Sequence, residues 1–153
     1  QTAEALSTKL SVPVHLDAAW RERCMGELEG KSRSDGEIWR AASGLDHPIG
    51  AEAEMDFRSR IRNSILDLAR QWPDEANVAV VTHGGPVHMA LRLFIAGELG
   101  YVRSDCLLEL VPIANCSIME LISHNRGDRV DWEIMRLNDV THLAGDQTDA
   151  DAG

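Results

Sequence analysis

The sequence predicts an α/β fold, a single layered domain built on a mostly parallel sheet. Three observations carry this. Over residues 52–72, Phe57, Ile61, Ile65, Leu68 and Trp72 step by four, four, three and four, which draws one apolar stripe along a helix. Residues 77–82, Asn-Val-Ala-Val-Val-Thr, form the near-continuous apolar run of a strand buried on both faces, as in a parallel sheet. That run passes straight into His83-Gly84-Gly85-Pro86 and a further helical pattern over 86–97, so that helix, strand and helix alternate.

The remaining elements follow in order. Residues 1–10 place Ala3, Leu6 and Leu10 at helical spacing among good helix formers, and Ser11 and Pro13 end that helix. Residues 12–16 are short and β-branched, and Pro13 argues for an edge strand. Residues 17–50 are polar and punctuated by glycine; a short helix over 35–43, capped by Ser34 or Asp35, interrupts them. Long ordered loops of this kind often carry function. Pro73 closes the helix of 52–72, and Pro86 after two glycines opens that of 86–97. Residues 106–121 read as two strands around Pro112, and alternation of apolar and polar residues over 117–122 supports the second. A last strand is expected over 130–137, joined to its predecessor by a hairpin turn at Asn125-Arg126-Gly127-Asp128. One domain is expected over 1–143, with a small acidic frayed tail over 144–153.

Composition limits the function. The chain has 153 residues, 44% apolar and 26% charged, the balance of a globular domain. Fifteen basic residues against twenty-five acidic ones give a net charge of −10, which repels a phosphate backbone and argues against nucleic acid as a partner. No run approaches the roughly 18 uninterrupted apolar residues of a membrane span; the best candidate, 87–99, is broken by Arg92. Cys24, Cys106 and Cys116 form no CxxC motif and read as small buried hydrophobes of a reducing, cytoplasmic protein. Gln1 stands within a helix already under way, so a longer protein is expected to precede it.

Two segments offer chemistry. At residues 81–86 a buried strand ends, a histidine follows, and a Gly-Gly turn opens a helix. The free N–H groups and positive dipole end of such a helix accept an anion, and glycines let it approach. His83 adds a donor at that place, or caps the turn structurally. The second segment is the glycine-punctuated loop 20–30, in which a carboxyl group can act as general acid or base; solvated surface loops have the same composition. His83 and His88 are five apart, against the four of a zinc-binding helix pair, so no metal is expected there. No GxGxxG, GxxxxGK or GxSxG motif occurs. The four tryptophans read as packing residues rather than a stacking platform.

Five motifs in order resemble the histidine phosphatase superfamily, in its phosphoglycerate mutase-like branch. Gln1-Thr2-Ala3 resembles the tail of an Arg-Ala-x-Gln-Thr-Ala motif. Glu22-x-x-x-Gly26-x-Leu28-Glu29-Gly30 resembles Glu-x-x-x-Gly-x-Trp-Glu-Gly, with Leu28 in place of Trp. Gly50-Ala51-Glu52-Ala53 resembles Gly-Gly-Glu-Ser, and Arg60 falls where the family often has arginine. Val80-Val81-Thr82-His83-Gly84-Gly85 resembles Val-Ser-His-Gly-Gly, and Asn115-Cys116-Ser117 resembles a late Asn-x-Ser.

The resemblance implies a three-layer α/β/α, phosphoglycerate mutase-like fold. It implies Glu22 as proton donor to the leaving oxygen, His83 on the phosphoryl oxygens, and the Gly84 amide assisting as a substrate-binding group. It needs no metal and no cofactor. The family's nucleophile lies in an Arg-His-Gly motif on the first, central strand, which this sequence lacks; the chain reads as N-terminally truncated and inactive by itself. The whole protein is expected to be a phosphomonoester hydrolase working through a phosphohistidine on a small phosphorylated substrate. The short stretch between Glu22 and His83 favours hydrolase over mutase. A phosphoglycerate mutase-type phosphotransferase and a non-catalytic phosphate-binding relative stay as alternatives, and a homodimer stays open.

Overall fold

The computed structural model describes residues 1–43, 48–72, 76–104 and 113–144. The expected strand around Pro112, together with Cys106, His47 and the acidic tail, lies outside them. The described residues mix helix and strand. They run α1 (Thr2–Leu10), α2 (Arg33–Ser43), α3 (Glu54–Gln71), α4 (Gly84–Ile95), β1 (Val102–Ser104), β2 (Ile118–Asn125) and β3 (Val130–Asp139), with short 3-10 turns at Ala18–Trp20, Gly26–Leu28 and Thr141–Leu143.

Among these residues the sheet has the order β1-β3-β2. β1 runs parallel to β3, with Val102 opposite Trp132, and β2 runs antiparallel to it, with Leu121 opposite Ile134. One ladder of each sense is formed among the described residues. The turn between β2 and β3 lies where the sequence places it: Arg126 N donates to Arg129 O at 2.9 Å, and Gly127 N donates to Asn125 Oδ1 at 3.0 Å. Gly127 takes φ +85°, a conformation glycine adopts without a Cβ penalty.

The core forms between that hairpin and α3 and α4. Phe57, Ile61, Ile65, Leu66 and Ala69 from α3 meet Met89, Ala90, Leu93 and Phe94 from α4 and Val130, Trp132 and Ile134 from β3. Phe57, Ile61 and Ile65 are the first three residues of the expected stripe of α3; Leu66 and Ala69 continue it in place of Leu68 and Trp72, and β3 contributes alternate residues. Burying each large side chain of this set contributes about 2 kcal/mol by removal from water. Trp132 fixes the join between α4 and the sheet. Its ring meets Phe94 edge-on, 5.4 Å between centroids, and its Nε1–H donates to Leu99 O at 2.9 Å.

Several sequence expectations are corrected. Residues 76–82 pair with no described strand, and Val78, Val80 and Val81 are 45%, 40% and 43% exposed rather than buried on both faces. A valine run has strand propensity, but a ladder needs a partner on its edge. The edge strand expected over 12–16 is likewise unpaired, and Leu16 is exposed. The cap of α2 is Ser32, whose Oγ accepts from Asp35 N at 3.1 Å while Asp35 Oδ2 accepts from Ser32 N at 3.0 Å; the helix thus starts two residues earlier than expected, in a capping-box arrangement. Cys116 is exposed, in a turn at φ +60°, and Trp72 is half exposed at the end of α3. No helix of the described residues is long and apolar enough to cross a membrane.

Candidate active site

The loop 19–30 is built from its own backbone needs. Gly26 takes φ +56°, and a Cβ there would collide with Ile49 O and with the backbone of Gly50 and Ala51. Only glycine permits that approach. Across it, Glu27 N donates to Ile49 O and Ile49 N donates to Glu27 Oε1, each at 3.1 Å. Glu29 Oε1 accepts from Met25 N at 2.6 Å and closes the turn. Leu28, in the place of the aromatic residue of the resembled motif, is half-buried beside Gly36. Of the acidic residues in the loop, Glu27 and Glu29 are thus engaged in holding its shape.

Glu22 is aimed elsewhere. Its Oε2 accepts from Gly85 N at 3.1 Å and its Oε1 accepts from Arg23 N at 2.8 Å. Gly85 lies in the first turn of α4, where the leading N–H groups have no partner within the helix. His83 is the N-cap residue, in extended conformation, and its side chain makes no capping hydrogen bond. A carboxylate from a distant loop takes the role a capping side chain usually fills, and the positive end of the helix dipole favours its charge. A Cβ on Gly85 would fall on the Glu22 carboxyl group, whereas a Cβ on Gly84 would meet open space.

The structure sets Glu22 against the first turn of α4, the helix that His83 caps and Gly84 opens. The amide that Glu22 engages, however, is that of Gly85. The double glycine signals close approach of some group to this turn, but not which amide receives it. The sequence reading also assigns no role to Arg60, Glu52 and Thr82, which hold the loop. Thr82 Oγ1 donates to Trp20 O at 2.5 Å. Arg60 pairs with Glu52 through Nε to Oε1 at 2.8 Å and Nη2 to Oε2 at 2.6 Å. Its Nη1 donates to Ala19 O at 2.6 Å and to Arg21 O at 3.1 Å. The hydrogen bonds from Arg60 hold the Glu52 carboxyl below its ordinary range, against the opposing effect of burial.

An acidic side chain thus lies against a histidine-led helix N-terminus, next to the exposed Gly84. Residues 1–140 match the model of the histidine phosphatase superfamily (branch 1). The chain belongs to that superfamily, and membership supports a phosphatase or mutase type of function. A comparison with curated proteins gave no match.

Proposed function

We propose that this chain is part of a phosphomonoester hydrolase that works through a phosphohistidine and acts on small phosphorylated substrates in the cytoplasm. The observation that supports it most is the 3.1 Å contact between the Glu22 carboxylate and the Gly85 amide. It holds the Glu22 carboxyl group at the first turn of the helix that His83 caps, next to Gly84.

In this scheme a histidine nitrogen attacks phosphorus, and the bond to the leaving oxygen breaks as Glu22 delivers a proton to it. His83 and the Gly84 amide hold the equatorial oxygens, where charge must be neutralised. Water then attacks the phosphohistidine, Glu22 takes back a proton, and phosphate departs. The nucleophile belongs to an Arg-His-Gly triplet, and the 153 residues contain none. These residues alone are therefore expected to turn over no phosphate ester.

The same reading covers the rest of the fold. We place 77–82 at the centre of a three-layer, mostly parallel sheet, beside the strand that ends in that triplet. Its valines, half exposed and without ladder partners among the described residues, support this. Mutase-type transfer is the second reading, and the short span between Glu22 and His83 weighs against it.

The test uses protein that includes the Arg-His-Gly strand, mixed with labelled phosphate ester and quenched rapidly. Label held in an acid-labile, base-stable bond supports a phosphohistidine, and release to water rather than to an added phosphorylated alcohol supports hydrolase over mutase. Turnover by residues 1–153 alone, abolished in His83→Ala, would overturn the scheme.

A further inference from the structure

We propose that Arg60 and Glu52 are positioning residues for Glu22, clamping the backbone on both sides of it so that its carboxylate reaches the N-terminus of α4. This rests on the reading of Glu22 as the proton carrier.

Glu22 is exposed and grips nothing large itself. Its placement must come from its neighbours in the chain. Upstream, the carbonyls of Ala19 and Arg21 both accept from Arg60 Nη1. Downstream, Cys24 O accepts from Glu52 N at 3.0 Å, and Arg23 Nε donates to Glu52 O at 3.0 Å. The two anchors are one unit, because Arg60 and Glu52 form a two-pronged ion pair. Their side chains are only 17% and 13% exposed, so the pair is shielded from solvent competition. The Arg60 guanidinium lies 5.0 Å from the centre of the Phe57 ring, and Phe57 is buried in the core. The clamp is thereby tied to α3, and the short residue span 19–24 bridges from it to Gly85.

Lysine takes this role only in part. Arg60 makes four hydrogen bonds, two to a carboxylate and two to carbonyls, a fork that an ammonium does not reproduce. By contrast, Arg58 on the same helix pairs with Glu98, which follows α4, rather than with a carbonyl of the loop.

Amide NMR of the dilute 153-residue chain tests this without any turnover. Both the Arg23 and Gly85 amides donate to Glu22, so both should titrate with its carboxyl group, and both titrations should vanish in Glu22→Gln. The Arg23 amide is local and reports only ionisation; the Gly85 amide reports where the carboxylate points. In Arg60→Met the Arg23 titration is expected to persist and the Gly85 titration to be lost. Arg60→Lys and Glu52→Gln should weaken it, and Arg58→Met should leave it whole. A Gly85 titration unchanged in Arg60→Met overturns the proposal and leaves the catalytic reading of Glu22 standing. So does loss of the Trp132 indole signal dispersion in every variant that breaks the clamp, which would make the pair a general support of the fold. No Gly85 titration in the parent chain also overturns it. Failure of the catalytic reading would instead appear in ester kinetics, with these titrations intact.

Discussion

The Glu22 carboxylate caps the N-terminus of α4 by accepting from the Gly85 amide at 3.1 Å, across 63 residues of sequence. The contact demands glycine, because a Cβ at position 85 would occupy the place of the Glu22 carboxyl group. Gly85→Ala is therefore expected to expel the carboxylate while leaving the helix intact. Alanine is the better helix former, by up to about 1 kcal/mol. Melting temperature should not fall, yet kcat/KM for an alkyl phosphate should drop about as far as in Glu22→Gln. The measurement is made on protein carrying the nucleophile strand. Full activity in Gly85→Ala would detach the contact from function.

Gly26→Ala should behave oppositely, as a stability mutant. A left-handed conformation costs an ordinary residue roughly 1–2 kcal/mol, and the collision with the backbone of Ile49, Gly50 and Ala51 adds to this. A loss of about 2 kcal/mol or more is expected, read as a lower denaturation midpoint at unchanged slope.

The elements that packing dictates were legible in the sequence. The helix α3 with the first three residues of its stripe, the glycine-led start of α4 and the β2–β3 hairpin each follow from local spacing and turn chemistry, and all are present. What depends on a partner was not. Residues 77–82 have a buried strand's composition, but composition does not supply the neighbouring strand, and the segment pairs with none of the described strands. β1 spans only Val102–Ser104, too short to show alternation. For the site, motif order pointed to Glu22, His83 and Gly84 but not to the Gly85 amide that Glu22 engages, because both glycines look alike in sequence. Arg60 and Glu52 were noted as matching positions without a role. One lies inside α3 and the other before it, so no helical period links them, and only the fold makes them a pair.

That pair sets a pH dependence. Arg60 holds the Glu52 carboxyl below its ordinary value, so protonation is harder in the folded chain than in the unfolded one. The stabilisation is complete above the ordinary glutamate value and is lost as pH falls through the depressed folded value. Glu52→Gln should thus cost roughly 3 kcal/mol at neutral pH, the order expected when one partner of a largely buried ion pair is removed. The difference from the parent should shrink in acid below the ordinary glutamate range. Denaturant unfolding of both proteins across pH 3–7 checks this, taking that range as about the span around a free glutamate; a gap that stays constant with pH would contradict it.

The most direct measurement of the central claim compares two leaving groups in protein that includes the Arg-His-Gly strand. An alkyl phosphate departs as a strongly basic alkoxide and needs a proton; a nitrophenyl phosphate departs as a weak base and needs it little. If Glu22 is the proton donor, Glu22→Gln should lower kcat/KM for the alkyl ester by about 10²–10⁴ and that for the nitrophenyl ester far less. His83→Ala should lower both alike, because it acts on phosphoryl oxygens common to the two. Equal losses on both esters in Glu22→Gln, with a lower melting temperature, would contradict the account and leave Glu22 as a cap on α4 alone.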